Sequence, residues 1–286
     1  MKNPIKSFRK FKSNVDNSLE AQSWSTAAIS ELLEIQLLST KKYDDKKSLI
    51  PHRQKVFSQF GQDGIIREIF RRVGIKTKRF VEIGTSPLEN NTNMLLLGGW
   101  SGLWIDLGLP QDLGLPLNLS ALQKSGRLKI LREIVDRENC NRLLANAKYD
   151  CNLDFVSIDI DLNTFHIFER IVEFAPRVLA IEYNGSLPAD VEWIAPYSDG
   201  CMWNGSNLFG ASLLSITKMA GSAGYSLVGC ELSGTDAFFV RDEDVGCNFL
   251  EPNNVEFHCE PLRMHLDRRR GHRVDFLPES HVWDRL

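Results

Sequence analysis

The chain lacks most of the features that would mark a specialised class. Its 286 residues include six cysteines (Cys140, Cys151, Cys201, Cys230, Cys247 and Cys259). None forms a C-x-x-C pair or a close cluster, which excludes a zinc ribbon and a thioredoxin-like redox motif. An excess of one charge is missing as well, since 34 Lys and Arg stand against 37 Asp and Glu for a net charge of -3. No global field draws in nucleic acid or an anionic membrane. The most apolar stretch, 95–109, is cut by Ser101 and Asp106, so no run reaches the ~18 to 20 residues of a membrane-spanning helix. No apolar core follows the basic N-terminus as a signal peptide would require. Internal repeats and low-complexity segments are also lacking. What is left is a globular composition, 43% hydrophobic, whose scattered thiols lead us to expect a cytoplasmic protein.

The first fifteen residues carry Lys2, Lys6, Arg9, Lys10 and Lys12 and no acid. A solvated terminus is the ordinary reading of such a run, and a weak membrane-surface contact is the alternative. The same holds for Arg268, Arg269 and Arg270. Ala21, Trp24, Ala28, Leu32, Ile35 and Leu38 recur three or four apart, which is one apolar helical stripe in need of a packing partner. The charged stretch 41–47 reads as a linker.

From Ser58 the pattern changes. Ile66, Ile69, Phe70 and Val73 form a second helical stripe, with Gly74 placed to end it. Short β-rich runs then alternate with helical ones, which predicts a βα-wound parallel sheet with strands at 79–84, 102–106, 128–135, 153–160 and 177–184. A helix over 164–174, with Phe165, Phe168, Ile171 and Val172 on one face, is stopped by Pro176. After a polar, aromatic segment at 185–209 and a helix near 210–222 come two strands, 225–231 and 235–240. Only Leu232, Ser233 and Gly234 separate them. A parallel crossover needs at least ~10 to 12 residues, so this pair must be an antiparallel hairpin. The organisation expected is an N-terminal segment, helix and linker (1–57), a Rossmann-like doubly wound α/β domain (58–241) and a C-terminal extension (242–286).

Ligands of such sheets bind outside the carboxyl ends of the strands. Those ends are acidic throughout: Glu82, Asp106, Asp136, Asp159 with Asp161, and Glu182 beside Asn184. The first βα turn, Glu82-Ile83-Gly84-Thr85-Ser86-Pro87, contains one glycine and no G-x-G-x-x-G, which disfavours a dinucleotide. A ligand with an adenosine and no phosphates would suit it. Asp106, at the end of the second strand, could accept hydrogen bonds from both ribose hydroxyls; a strand-end cap is its structural alternative.

These residues also carry a family resemblance. Ser58-Gln59-Phe60-Gly61-Gln62-Asp63-Gly64, Phe80-Val81-Glu82-Ile83-Gly84, Asn90-Asn91-Thr92, Gly99-Trp100-Ser101-Gly102-Leu103-Trp104-Ile105-Asp106, Ser157-Ile158-Asp159-Ile160-Asp161, Ile181-Glu182-Tyr183-Asn184 and Gly210-Ala211-Ser212-Leu213 stand in order. Gly224-Tyr225-Ser226-Leu227-Val228-Gly229 and Ala237-Phe238-Phe239-Val240-Arg241 follow. Together these blocks resemble the FkbM-type branch of class I S-adenosylmethionine-dependent methyltransferases. The resemblance implies a seven-stranded sheet of order 3-2-1-4-5-7-6 with strand 7 antiparallel, and S-adenosylmethionine as cofactor. It places Glu82, Gly84 and Thr85 at the methionine end, Asp106 at the ribose and Asp136 or its neighbours at the adenine, with Asn91 also among the cofactor-binding residues. It also implies a carbohydrate-type acceptor: a sugar hydroxyl of a glycan, glycolipid or nucleotide sugar.

A sugar hydroxyl needs a base, or a cation such as Mg²⁺ to lower its pKa. Asp161, Asp159 and His166 are the candidate bases; Asp159 or Asp161, with Glu182 and Asn184, form the candidate metal set. For Asp159 the structural alternative is a helix N-terminal charge. Trp193, Tyr197, Trp203 and Phe209 are the candidate acceptor platform, and His258, His265 and His272 are expected at the surface. Where the family has a glycine-rich turn and then Gly-Asn-Asp after its aspartates, this chain has Thr85-Ser86-Pro87-Leu88 and Leu162-Asn163-Thr164. The rival readings are therefore a non-catalytic, degenerate methyltransferase-fold binding module and, less favoured, a nicotinamide oxidoreductase.

Overall fold

The computed structural model describes residues 4–85, 89–108, 118–149, 151–199 and 203–267. Pro87, Cys201, Arg268, Arg269, Arg270 and His272, singled out above, lie outside these. Seven strands form one sheet: β1 (Arg79–Ile83), β2 (Ser101–Ile105), β3 (Leu128–Leu131), β4 (Phe155–Ile158), β5 (Val178–Glu182), β6 (Tyr225–Cys230) and β7 (Asp236–Arg241). Their order is β3-β2-β1-β4-β5-β7-β6. The first five run parallel, while β7 pairs antiparallel with both β5 and β6. This is the order the resemblance implies, and the short β6–β7 connection makes the hairpin expected of it.

Side-chain alternation along the strands builds a core on each face. On one face Val81, Ile83, Leu103, Ile105, Val156, Ile158, Leu179 and Ile181 pack with α5 (Cys140–Ala147), α6 (Thr164–Ile171) and α7 (Leu213–Ser222). On the other, Phe80, Trp104, Phe155, Val178 and Phe238 meet Ile65, Ile66, Ile69 and Phe70 of α2 (Gln62–Val73) and Leu95 and Leu96 of α3 (Asn93–Leu97). Gly74 ends α2 at φ +71, its N–H bonded to the Phe70 carbonyl. Between β2 and β3, α4 (Leu119–Lys124) is capped by the Asn118 side chain.

Three expectations need correcting. β3 stops at Leu131 because its neighbour in the sheet, β2, ends at Ile105, opposite Leu131; residues 132–135 have no strand partner among the described residues. The N-terminal helix α1 (Pro4–Leu38) starts earlier than its apolar stripe, and that stripe finds little cover: Trp24 is 71% exposed and Leu32 66%. Its C-terminal part does pack: Leu37 and Leu38 meet Tyr43, Ile50 and Leu232, Ser30 donates to the His265 carbonyl at 3.1 Å and Glu34 pairs with Arg53. The charged stretch after it holds a buried anchor, Tyr43, whose hydroxyl donates to Glu260 at 2.9 Å.

Candidate active site

The carboxyl ends of β1, β2, β4 and β5 open into a cleft of about 590 Å³. Glu82, near the end of β1, is buried, and its carboxylate holds the following loop in place. Oε1 accepts the Asn91 N–H at 2.7 Å and Oε2 accepts the Thr92 hydroxyl, which in turn takes a bond from the Trp104 indole at 2.8 Å. Asn91 also donates to Ser157 Oγ at 3.0 Å. Burial pushes the Glu82 carboxyl up to about 8, although these hydrogen bonds oppose the shift. Gly84 follows at φ +81, its N–H bonded to the Ile105 carbonyl at 3.1 Å. A Cβ there would penetrate the carbonyl oxygen of Asp159, so the turn requires glycine both for its dihedral and for space. Thr85 lines the cleft with a buried hydroxyl that has no hydrogen-bond partner among the described residues.

Asp106 leaves β2 with its N–H on the Leu131 carbonyl and its Oδ1 on the Gly108 N–H at 2.5 Å. It faces both the cleft and an adjoining cavity of about 340 Å³, lined by Ile134, Val135, Asp136, Ile160 and Tyr197 among others. Asp136 is therefore near Asp106 without standing at a strand end. Its Oδ1 accepts the N–H groups of Glu138 and Asn139, at 2.8 and 2.7 Å, just before α5.

Asp159, Asp161 and Glu182 each offer a carboxylate oxygen, the three lying within 4.8 Å of one another. The cause is topological: β4 and β5 are parallel neighbours in register, so their following residues meet. Asp161 adopts φ +58, a left-handed conformation that Asp tolerates, and its N–H donates to Glu182 Oε2 at 3.1 Å. Thr164 Oγ1 donates to the same oxygen at 3.1 Å and accepts the Ile160 N–H. Enclosure raises Asp161 to about 6. It also raises Asp159 and Glu182, with added repulsion from Asp236 on Asp159 and from Asp159 on Glu182. Asp159 itself opens onto the cleft, where solvent tempers the dehydration share of its shift.

Two sequence candidates are engaged elsewhere. Asn184 is fully buried; its Nδ2 donates to the Asn207 and Phe209 carbonyls at 2.8 and 3.1 Å, and its Oδ1 accepts from Ser186. It fastens the 185–209 loop. His166 bonds the Ala195 carbonyl through Nε2 at 2.9 Å, its Nδ1 is 3.7 Å from Glu169, and it lines neither cavity. Of the aromatic platform, Trp203 and Phe209 line the cleft and Tyr197 the adjoining cavity, whereas Trp193 lines neither. His258, expected at the surface, is buried on the Glu251 carbonyl, and burial depresses it to about 4. Gln59, Gln62, Glu89, Asn90, Tyr183, Thr235, Leu262 and Met264 complete the lining among the described residues. Of these, only Gln59, Gln62, Asn90 and Tyr183 carried a signal, through the family motifs.

These raised carboxyls set a pH dependence. Each binds its proton more tightly in the folded chain than its ordinary value of 3.8 or 4.5, so the stability they contribute is complete below that value and is lost as pH rises. The loss runs through about 6 for Asp161 and Asp236 and about 8 for Glu82. The melting temperature is expected to fall from pH 5 to about pH 8.5, and Glu82→Gln should flatten the part above about pH 7. A melting temperature that rises over this range contradicts the assignment.

No family model matches the chain, and no curated protein does. Solved structures do. An O-methyltransferase family protein from Burkholderia thailandensis is similar over 63% of this chain and 57% of its own, at 11% identity and a TM-score of 0.37. The N-terminal domain of EvdMO1, crystallised in the presence of SAH and D-fucose, is similar over 63% and 82%, at 14% identity and 0.38. The pyocyanin biosynthetic protein PhzM is similar over 61% and 53%, at 15% and 0.32. The likeness is one of fold, and this chain spans little more than half the length of the first and third.

Proposed function

We propose that the chain is an S-adenosylmethionine-dependent methyltransferase that methylates a sugar hydroxyl. What carries the reading is a single conjunction at one edge of a 3-2-1-4-5-7-6 sheet: the Gly84 turn, the Asp106 carboxylate and an acidic cleft. The residues suit the cofactor. Thr85 has a buried hydroxyl lacking a partner among the described residues, Asp106 can accept from vicinal hydroxyls, the adjoining cavity offers Ile134, Val135 and Ile160 to a flat ring, and the acids complement a sulfonium and an ammonium. Asp136 lies at the same cavity; Glu82, with Asn91, shapes the turn.

The cofactor would supply the methyl group. The chain's own residues orient the acceptor and take its proton. Asp161 is the proposed base, with Glu182 fixing its backbone and Asp159 beside it; His166 is not used. The proximity of Asp159, Asp161 and Glu182 favours a second arrangement in which the three hold Mg²⁺ through hard oxygen ligands; Asn184, engaged with its loop, does not join them.

Asp106→Ala is expected to weaken binding of S-adenosylhomocysteine about 10- to 100-fold, the effect of losing hydrogen bonds to a charged acceptor. Calorimetry reads this directly. Unchanged affinity removes the ribose assignment, and a native chain that binds no cofactor is the non-catalytic binding module instead.

A further inference from the structure

Among the described residues lining the cleft are six carboxylates, those of Glu82, Glu89, Asp106, Asp159, Asp161 and Glu182, and no Lys, Arg or His. The adjoining cavity adds Glu133 and Asp136 and again no base. Two nearby arginines are committed elsewhere, and one lysine pairs with a cleft acid. Arg53 bridges Glu34 and Glu231, Arg263 holds Glu260 and the Leu232 carbonyl, and Lys55 stands 4.0 Å from Glu89. That the cleft is built for an occupant is marked independently by Thr85, 4% exposed, whose hydroxyl there lacks a partner among the described residues.

The apolar part of the lining comes from two segments. Trp203 and Phe209 belong to the 185–209 loop. Leu262 and Met264 belong to a strap whose Leu262 N–H bonds the Gly185 carbonyl at 2.9 Å and which passes so close to Gly234 that a Cβ there would strike the Pro261 carbonyl.

We infer that the acceptor is a sugar unit without phosphate, neutral or bearing an amine, and that phosphorylated and nucleotide-linked sugars are excluded by charge. The inference rests on the methyltransferase reading and narrows its substrate. Sugar hydroxyls and ammonium groups donate hydrogen bonds, which carboxylates accept; a phosphate dianion offers only acceptors to a wall of acceptors. Protonating Glu82 does not reverse the balance. Nor does a divalent ion on Asp159, Asp161 and Glu182, since, with Glu89 paired to Lys55, Asp106 and one charge of the cluster still outweigh the single net positive charge of the cofactor.

Calorimetry with S-adenosylhomocysteine comes first, so that failure of the methyltransferase reading shows there. Glucosamine, glucose and glucose 6-phosphate are then titrated into the full chain loaded with S-adenosylhomocysteine, in EDTA. Glucosamine is expected to bind best and glucose 6-phosphate at least about tenfold more weakly at low salt, the gap narrowing near ~0.5 M salt. Met264→Arg should narrow it as well, and Met264→Gln should not. Equal or tighter binding of the phosphate, or no binding by any of the three, overturns the inference.

Discussion

Asp161→Asn is expected to lower methyl transfer by about 10²- to 10⁴-fold, the usual worth of a positioned general base, while S-adenosylhomocysteine still binds within about twofold. The substitution isolates the chemistry from the fold. Asn is isosteric, and like Asp it accepts the left-handed conformation at φ +58 that an alanine would resist. The Asp161 N–H bond to Glu182 is a backbone bond and survives. The pH profile supplies a second readout. A base whose carboxyl is raised to about 6 must lose its proton to work, so kcat/KM should rise through about pH 6 in the native chain. In Asp161→Asn that limb should be lost. Full activity in the variant removes Asp161 as base. If activity instead disappears with EDTA and returns with Mg²⁺, the three acids act as ligands.

Gly84→Ala should cost the most stability, about 3 kcal/mol or more, and abolish cofactor binding. Two penalties coincide: an L-residue at φ +81, and a methyl group driven into the Asp159 carbonyl. The backbone of Asp159 belongs to a strand end held by the Ile83 carbonyl, so it cannot yield without moving the acids of the cleft. Gly99→Ala is the control. It has almost the same dihedral, φ +82, and open space around it. Its loss should be only the conformational part, about 1 to 2 kcal/mol. Denaturant titration of both variants separates the two contributions, and equal losses would show that the close approach to Asp159 has no cost.

Local periodicity made much of the scaffold legible. The runs around Val81, Leu103, Val156 and Leu179 are strands because both faces of the sheet are covered, and their near-continuous apolar character says so. Periodicity failed where pairing decided the outcome. Residues 132–135 follow the strand without a break in composition, but β2 ends at Ile105 and offers them no strand partner among the described residues. Asp136 accordingly caps the approach to α5 rather than ending a strand. Of the candidate site, Glu82, Gly84, Thr85, Asp106, Asp159, Asp161 and Glu182 do meet in one cleft, because all stand at or just past the carboxyl ends of adjacent strands. Asn184 shares that location, yet its polar atoms are taken by a loop whose path no spacing reveals.

By itself the sequence determined the alternation of strands and helices, the closing hairpin and the acidity of the strand ends, since each is written in residues close along the chain. Only the tertiary structure decided which acids face one another, that Asp161 turns left-handed beside Glu182, and that Leu262 and Met264 from the C-terminal strap wall the cleft. Those depend on segments distant in sequence crossing at Gly84, Gly185 and Gly234, where the absence of a side chain lets backbones touch.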